Sequence, residues 1–312
     1  MTQINVVELS DLIELQSKDT ESVDDVRFVK DENGLDYIEI ENRFATAKLA
    51  LQGGHIMHWQ PKHTAEPVLW MSDHSRYEVG RSIRGGIPLC WPWFGPHARE
   101  PGFPGHGFAR TVMWEVIGAK TLKDGGTWMA FHLQANDATR AQWPHPSEVV
   151  LQVVVGATLD MDLGTLNTGK QPITIGEALH TYFEVSDISD TALHGLDGIA
   201  YLDKVDGGAQ KQQAGPVSIY QEVDRIYLNT DHDCVIEDAG WQRRIRIKKL
   251  GSHSTVVWNP WIEKANKMGD LGTDGYRNML CVESTNAASD TVTLAPKAEH
   301  HLWVRYSVEA LK

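Results

Sequence analysis

VVLQVVVGATLDMDL, residues 149–163, is the stretch that decides the fold: it is apolar, rich in β-branched valine, and reads as strand. Outward from it the same signal returns at 37–40, 45–51, 128–133, 173–175, 243–247, 255–258, 291–294 and 302–308. Asn33-Gly34, Asp124-Gly125-Gly126, Asn167-Thr168-Gly169 and Asp206-Gly207-Gly208 separate these runs with turn chemistry. No helix of ordinary length is signalled beyond residue 27. The rhythm predicts a mainly β fold, a large antiparallel β-sandwich. The first 27 residues differ, with seven acids against Lys18 and Arg27, and with Val7, Leu9, Leu12, Ile13 and Leu15 spaced as a short helical stripe. The expected organisation is a short acidic N-terminal arm, residues 1–27, and one sandwich domain, residues 28–312, undivided by any internal repeat.

The chain has 312 residues, 41% of them hydrophobic and 23% charged, as in a folded body with a sizeable core. A net charge of -13 disfavours general nucleic-acid binding. There is no 18-residue apolar run and no secretory signal at the N-terminus, so a cytoplasmic protein without a membrane partner is expected. Cys90, Cys234 and Cys281 are odd in number and widely spaced, which predicts thiols rather than a disulfide framework or a close-spaced zinc motif. HEXXH is absent, and neither a metal nor a cofactor is expected.

His180, in IGEALHTYFEV, lies beside Tyr182 and Phe183. An imidazole there is suited to proton transfer near neutrality, its unperturbed pKa being about 6.5. Taken alone, the context is equally that of a structural histidine. Glu283, in MLCVESTNA, follows an apolar run, where a carboxylate needs solvent or specific partners. The two are 103 positions apart, so only the packing of distant strands can join them. Asp224 and Arg225, in YQEVDRIYL, read either as a local ion pair or as the lining of a polar site. The Gly- and Pro-dense segment 80–107 also carries Trp91, Trp93, Phe94 and Phe103, the mark of a packed loop. In and around it stand Arg81, Arg84, Arg110, His97 and His106. The guanidinium fork suits phosphate, and the cluster reads as an anion-binding wall. Neither the Walker nor the GxGxxG pattern occurs. In WQRRIRIKKL, Arg244, Arg246 and Lys248 alternate with Ile245 and Ile247, which predicts a strand with a solvated basic face.

Six segments together resemble the hexose-6-phosphate mutarotases, or glucose-6-phosphate 1-epimerases, of the galactose-mutarotase-like group. They are IRGGIPLCWPWFGP (83–96), HGFAR (106–110), LHTYF (179–183), GLDGIAYLDK (195–204), EVDRIY (222–227) and CVESTNA (281–287), within a resemblance covering about residues 36–308. The resemblance implies a β-sandwich whose concave face binds a sugar without a cofactor. It carries the catalytic histidine onto His180, the catalytic glutamate onto Glu283 and a sugar-positioning aspartate onto Asp224. It carries the basic residues that hold the 6-phosphate onto Arg84 and Arg110, with His106 as a further pocket residue. Arg81 stands where many relatives have lysine, which keeps the charge and changes the hydrogen-bond geometry.

The activity this implies is interconversion of the α and β anomers of an aldohexose 6-phosphate, glucose 6-phosphate foremost, by a monomer. Charged Glu283 would take the proton of the anomeric hydroxyl while protonated His180 donates to the ring oxygen. A noncatalytic carbohydrate-binding or metabolic-sensing protein on the same sandwich is the alternative. A glycoside-processing enzyme is disfavoured because its usual arrangement is a pair of carboxylates.

Overall fold

In a computed structural model, which describes residue 9 and residues 23–32 and 34–311, the deciding stretch becomes two antiparallel strands, Ser147–Val155 and Leu159–Asn167. They lie within an eight-stranded sheet. Its order is Thr191–His194, Cys234–Asp238, Arg243–Leu250, Glu299–Ala310, Leu159–Asn167, Ser147–Val155, Thr127–Leu133 and Trp114–Thr121. A second eight-stranded sheet runs Ala209–Gln212, Ala200–Asp203, Val223–Leu228, Ser254–Asn259, Met279–Asn286, Glu177–Leu179 and Leu89–Cys90, with Tyr182–Glu184 also pairing to Met279–Asn286. A four-stranded sheet from Val26–Val29 to His55–Pro61 and the pair Ile173–Ile175 and Val292–Leu294 complete the described strands. The protein is mainly β, a large antiparallel sandwich, as its punctuated apolar runs require.

Period two decides which side chains meet between the sheets. Met129, Phe131, Leu151, Val153, Met161 and Leu163 on one sheet share a core with Leu179, Phe183, Tyr227, Val257, Leu280 and Val282 on the other. In Met279–Asn286, Leu280 and Val282 belong to that core, so Cys281 and Glu283 are turned to the opposite face.

Both helices among the described strand-linking segments are short, Asp137–Gln142 and Trp261–Met268. Neither is long and apolar enough to cross a membrane. The basic run folds as expected: Arg244, Arg246 and Lys248 face outward beside Glu237, Glu309 and Asp233, while Ile245 and Ile247 are buried. Its flanking Arg243 and Lys249 are also buried, Lys249 donating to Thr230, Ser252, Thr255 and the Ser254 carbonyl.

At the end of the expected arm, Val26 and Arg27 lie in Val26–Val29, which pairs with Tyr37–Glu41. Apart from Leu9, its helical stripe lies outside the described residues. Leu9 is buried against the outer face of the first sheet with Trp128, Ala130 and Val150. It fills the space over Gly164, where an added Cβ would stand 2.7 Å from the Leu9 side chain.

Candidate active site

Sheet register assembles the site from remote segments. Leu202, Ile226, Val256 and Glu283 are successive cross-strand neighbours. Asp224, Trp258, Cys281 and Tyr182 form the next row. All of these residues except the fully buried Cys281 line a cleft of about 550 Å³.

The 103-residue gap between His180 and Glu283 closes by the same arithmetic. Leu179 pairs with Ser284 and Tyr182 with Cys281, which sets His180 opposite Glu283. His180 Nε2 lies 3.4 Å from Glu283 Oε1. The His180 amide donates to the Pro88 carbonyl at 3.0 Å. Its imidazole stacks on the Tyr182 ring at 4.9 Å and meets Trp258 edge-on at 6.2 Å. Only 8% of His180 and 1% of Glu283 is exposed, and His180 Nδ1 and Glu283 Oε2 have no hydrogen-bond partner among the described residues.

Burial therefore governs the protonation of the pair. It pushes Glu283 well above the usual carboxylate range, reinforced by the negative charge of Asp224 and opposed by Arg110. It holds His180 well below the usual imidazole range, reinforced by His106, Arg110 and Arg84. Both shifts favour the uncharged form of the group concerned. Burial thus works against the expected charged glutamate and protonated histidine, because either charge loses hydration there.

Arg84 is delivered by the turn that follows it. The Gly86 amide donates to the Trp70 carbonyl and the Gly86 carbonyl accepts from the Tyr182 amide, which adds the turn to the sheet edge. Gly86 has φ +61°, and an added Cβ would lie 2.2 Å from the Ile56 carbonyl oxygen and 2.7 Å from His55 Nε2. Replacement Gly86→Ala is expected to cost at least about 2 kcal/mol of stability, as left-handed strain and backbone overlap combine. Urea unfolding of the variant checks this.

The Arg84 guanidinium donates from Nε and Nη2 to Asp270 Oδ2 at 3.2 and 3.0 Å, and from Nη1 to the Tyr182 hydroxyl at 2.9 Å. These partners hold it firmly protonated. Arg110, in the turn Ala109–Thr111, donates from Nη2 to the Gly105 carbonyl at 2.8 Å, while its Nε is buried without a partner among the described residues. His106 also reaches the cleft, at φ 66°, its Nδ1 accepting from the Gly95 amide at 3.3 Å. Burial, with Arg110 and Arg84, pushes its pKa down to about 3.

Asp224 lines the cleft 3.9 Å from Lys264 Nζ, and burial raises its pKa. Arg225 points away, onto the Tyr201 ring and Gln213, so these neighbours are not an ion pair with each other. Arg81 is not part of the lining. It pairs with Glu78 at 2.7 Å and opens onto an adjacent cleft with Arg76 and Asp270. His300 and His301 are occupied by Glu177 and Asp162.

Sequence reasoning did not single out Lys204, Lys264, Met268 or Asp270. The first three line the cleft, and Asp270 holds Arg84. Helix Trp261–Met268 supplies Lys264 and Met268, and its local signal was present: Asn259 Oδ1 accepts from the Trp261 amide at 2.9 Å, and Gly269 ends it at φ 70°.

The sequence pattern of the aldose 1-epimerase family matches residues 36–307. A Salmonella typhimurium protein provisionally named a glucose-6-phosphate 1-epimerase is 37% identical over 256 residues, covering 82% of this chain and 84% of its own. An Escherichia coli protein of the same provisional name is 36% identical over 269 residues, covering 86% and 88%. The crystal structure of a provisionally named mutarotase from Salmonella typhimurium superposes with a TM-score of 0.86 at 31% identity, over 97% of this chain and 99% of that one.

Proposed function

The chain belongs to the aldose 1-epimerase family, and from that premise we propose that it interconverts the α and β anomers of an aldohexose 6-phosphate, with glucose 6-phosphate as the substrate. Homology supports aldose or hexose-phosphate epimerase activity in general. The observation that carries the finer reading is the buried His180–Glu283 pair at 3.4 Å in a cleft also lined by the guanidinium groups of Arg84 and Arg110.

Ring opening needs a base at the anomeric hydroxyl and an acid at the ring oxygen. In this proposal Glu283 takes the hydroxyl proton and His180 gives one to the ring oxygen as the C1–O5 bond breaks. Rotation about C1–C2 turns the other aldehyde face toward the ring hydroxyl, and the two groups then exchange roles to close the ring. The pair holds one proton in total. The uncharged resting form becomes the reactive form when the sugar hydroxyl donates to Glu283 and stabilises its carboxylate. Asp224 orders sugar hydroxyls, and Arg84 and Arg110 hold a phosphate carrying about -1.5 to -2 charges at pH 7. Only protons move, so no cofactor enters the scheme. One chain supplies all these groups, in keeping with the monomer that we propose.

NMR magnetisation exchange between the anomers of glucose 6-phosphate, followed by free glucose, tests the reading. Acceleration confined to the phosphosugar is expected, and acceleration of neither sugar overturns it. Tight binding of sugar phosphate without exchange would instead favour the noncatalytic sensor. Arg84→Ala is expected to weaken binding of glucose 6-phosphate by about 1.5–3 kcal/mol, or roughly 10- to 150-fold, with little change for glucose. Equal changes in the two dissociation constants would remove Arg84 from the phosphate site.

A further inference from the structure

We propose that His180, Cys281 and Glu283 form a binding site for a borderline-soft divalent transition metal, with Zn²⁺ as its type, and that the bound metal inhibits the enzyme. Cys281 and Glu283 are two residues apart on Met279–Asn286, so thiol and carboxylate lie on one face of the strand, both buried and only Glu283 lining the cleft. His180 is brought against them from the break between Glu177–Leu179 and Tyr182–Glu184, and one ligand atom from each residue lies within 4.8 Å of the other two. The 3.4 Å from His180 Nε2 to Glu283 Oε1 is itself the edge of a tetrahedron whose metal–ligand bonds are roughly 2.0–2.2 Å.

A second feature points the same way. Glu283 Oε2, in a residue 1% exposed, has no donor among the described residues. A nitrogen, sulfur and oxygen donor set suits Zn²⁺, Co²⁺ or Cd²⁺ and not the oxygen-seeking Mg²⁺ or Ca²⁺. Binding releases to solvent both the Cys281 proton and the proton held by the His180–Glu283 pair, and leaves the fourth coordination position toward the cleft. His180 Nδ1 lacks the outer partner that fixes the imidazole in tight metal sites, and Arg84 and Arg110 oppose a further positive charge. The site is thus a reversible inhibitory one. A metal there occupies the lone pairs that the proton transfers need.

Metal capture stands apart from the proposed reaction, whereas the inhibition rests on it, and the experiment separates the two. Co²⁺ titration of the full chain is expected to give tetrahedral d–d bands and a thiolate-to-cobalt charge-transfer band, both displaced by Zn²⁺. Cys281→Ala and Cys281→Ser should lose the charge-transfer band. Its absence from the wild type, or its persistence in both folded variants, overturns the site. In the kinetic arm, Zn²⁺ is expected to slow anomer exchange at least about tenfold, with recovery on adding EDTA and no effect of Mg²⁺. Each Cys281 variant is referred to its own metal-free exchange rate, and its half-inhibitory Zn²⁺ concentration should rise by more than the roughly 10–100-fold that loss of an outer-shell partner costs. Co²⁺ binding with undiminished exchange would overturn the inhibition alone.

Discussion

Glu283→Gln is expected to lower catalysed anomer exchange by roughly 10²–10⁴-fold, the usual contribution of a positioned proton-transfer group. The amide keeps the size and hydrogen-bonding reach of the carboxyl but can neither take the anomeric proton nor return it. A loss of activity means little if the variant unfolds, and here the physics of burial supplies the control. The folded-state pKa of Glu283 is raised above the unfolded value of 4.5, because burial and Asp224 disfavour the carboxylate. Its stabilising contribution is therefore fully present below pH 4.5 and is lost as pH rises through the folded pKa. Glutamine has no such loss. The variant should melt at the same temperature as the wild type or higher at neutral and alkaline pH, while exchanging anomers far more slowly. Thermal melts and magnetisation exchange on one preparation check both halves. Near-wild-type exchange in the folded variant would remove Glu283 from the chemistry, and a large fall in melting temperature would reveal a structural role instead.

Local sequence signals carried much of the fold and less of the site, for a common physical reason. Alternation in 243–248 fixed which side chains face out, and Arg244, Arg246 and Lys248 do so. Period two reports which face a residue occupies but not which strand lies beside it. The meeting of His180 with Glu283 is set by the pairing Leu179 with Ser284, a long-range contact invisible in either segment alone. Each residue's own surroundings read equally well as structural, and only the family's motifs joined them. Arg81 and Arg84 show the same limit three positions apart. Both looked like phosphate ligands, but the Gly85-Gly86 turn directs Arg84 to the cleft, while Arg81 stays outside with Glu78. Asp270 escaped notice because its role comes from its contact with Arg84, a residue 186 positions away.

His180→Ala is expected to lower exchange by roughly the same 10²–10⁴-fold, and it also tests where the proton of the pair resides. Were His180 an ordinary solvent-exposed imidazole, its ring would titrate near pH 6.5. Burial, with His106, Arg110 and Arg84 around it, moves that ionisation well below 6.5, so the neutral ring should persist through the whole neutral range. The sign for stability follows: a histidine buried neutral stabilises the fold least when acid protonates its unfolded counterpart, so this contribution falls as pH drops below 6.5. The second ionisation of a sugar phosphate also lies near pH 6, which makes a rate profile alone ambiguous. NMR titration of the histidine ring signals avoids that overlap, with the His180 signal identified by its disappearance from the His180→Ala spectrum. A His180 signal fixed at its neutral position from pH 8 to below 6.5, together with the lost exchange, means that substrate draws the pair into its charged form. A ring that titrates at 6.5 would mean that the cleft is wetter than its packing against Tyr182 and Trp258 implies, and that the charged pair exists before any sugar arrives.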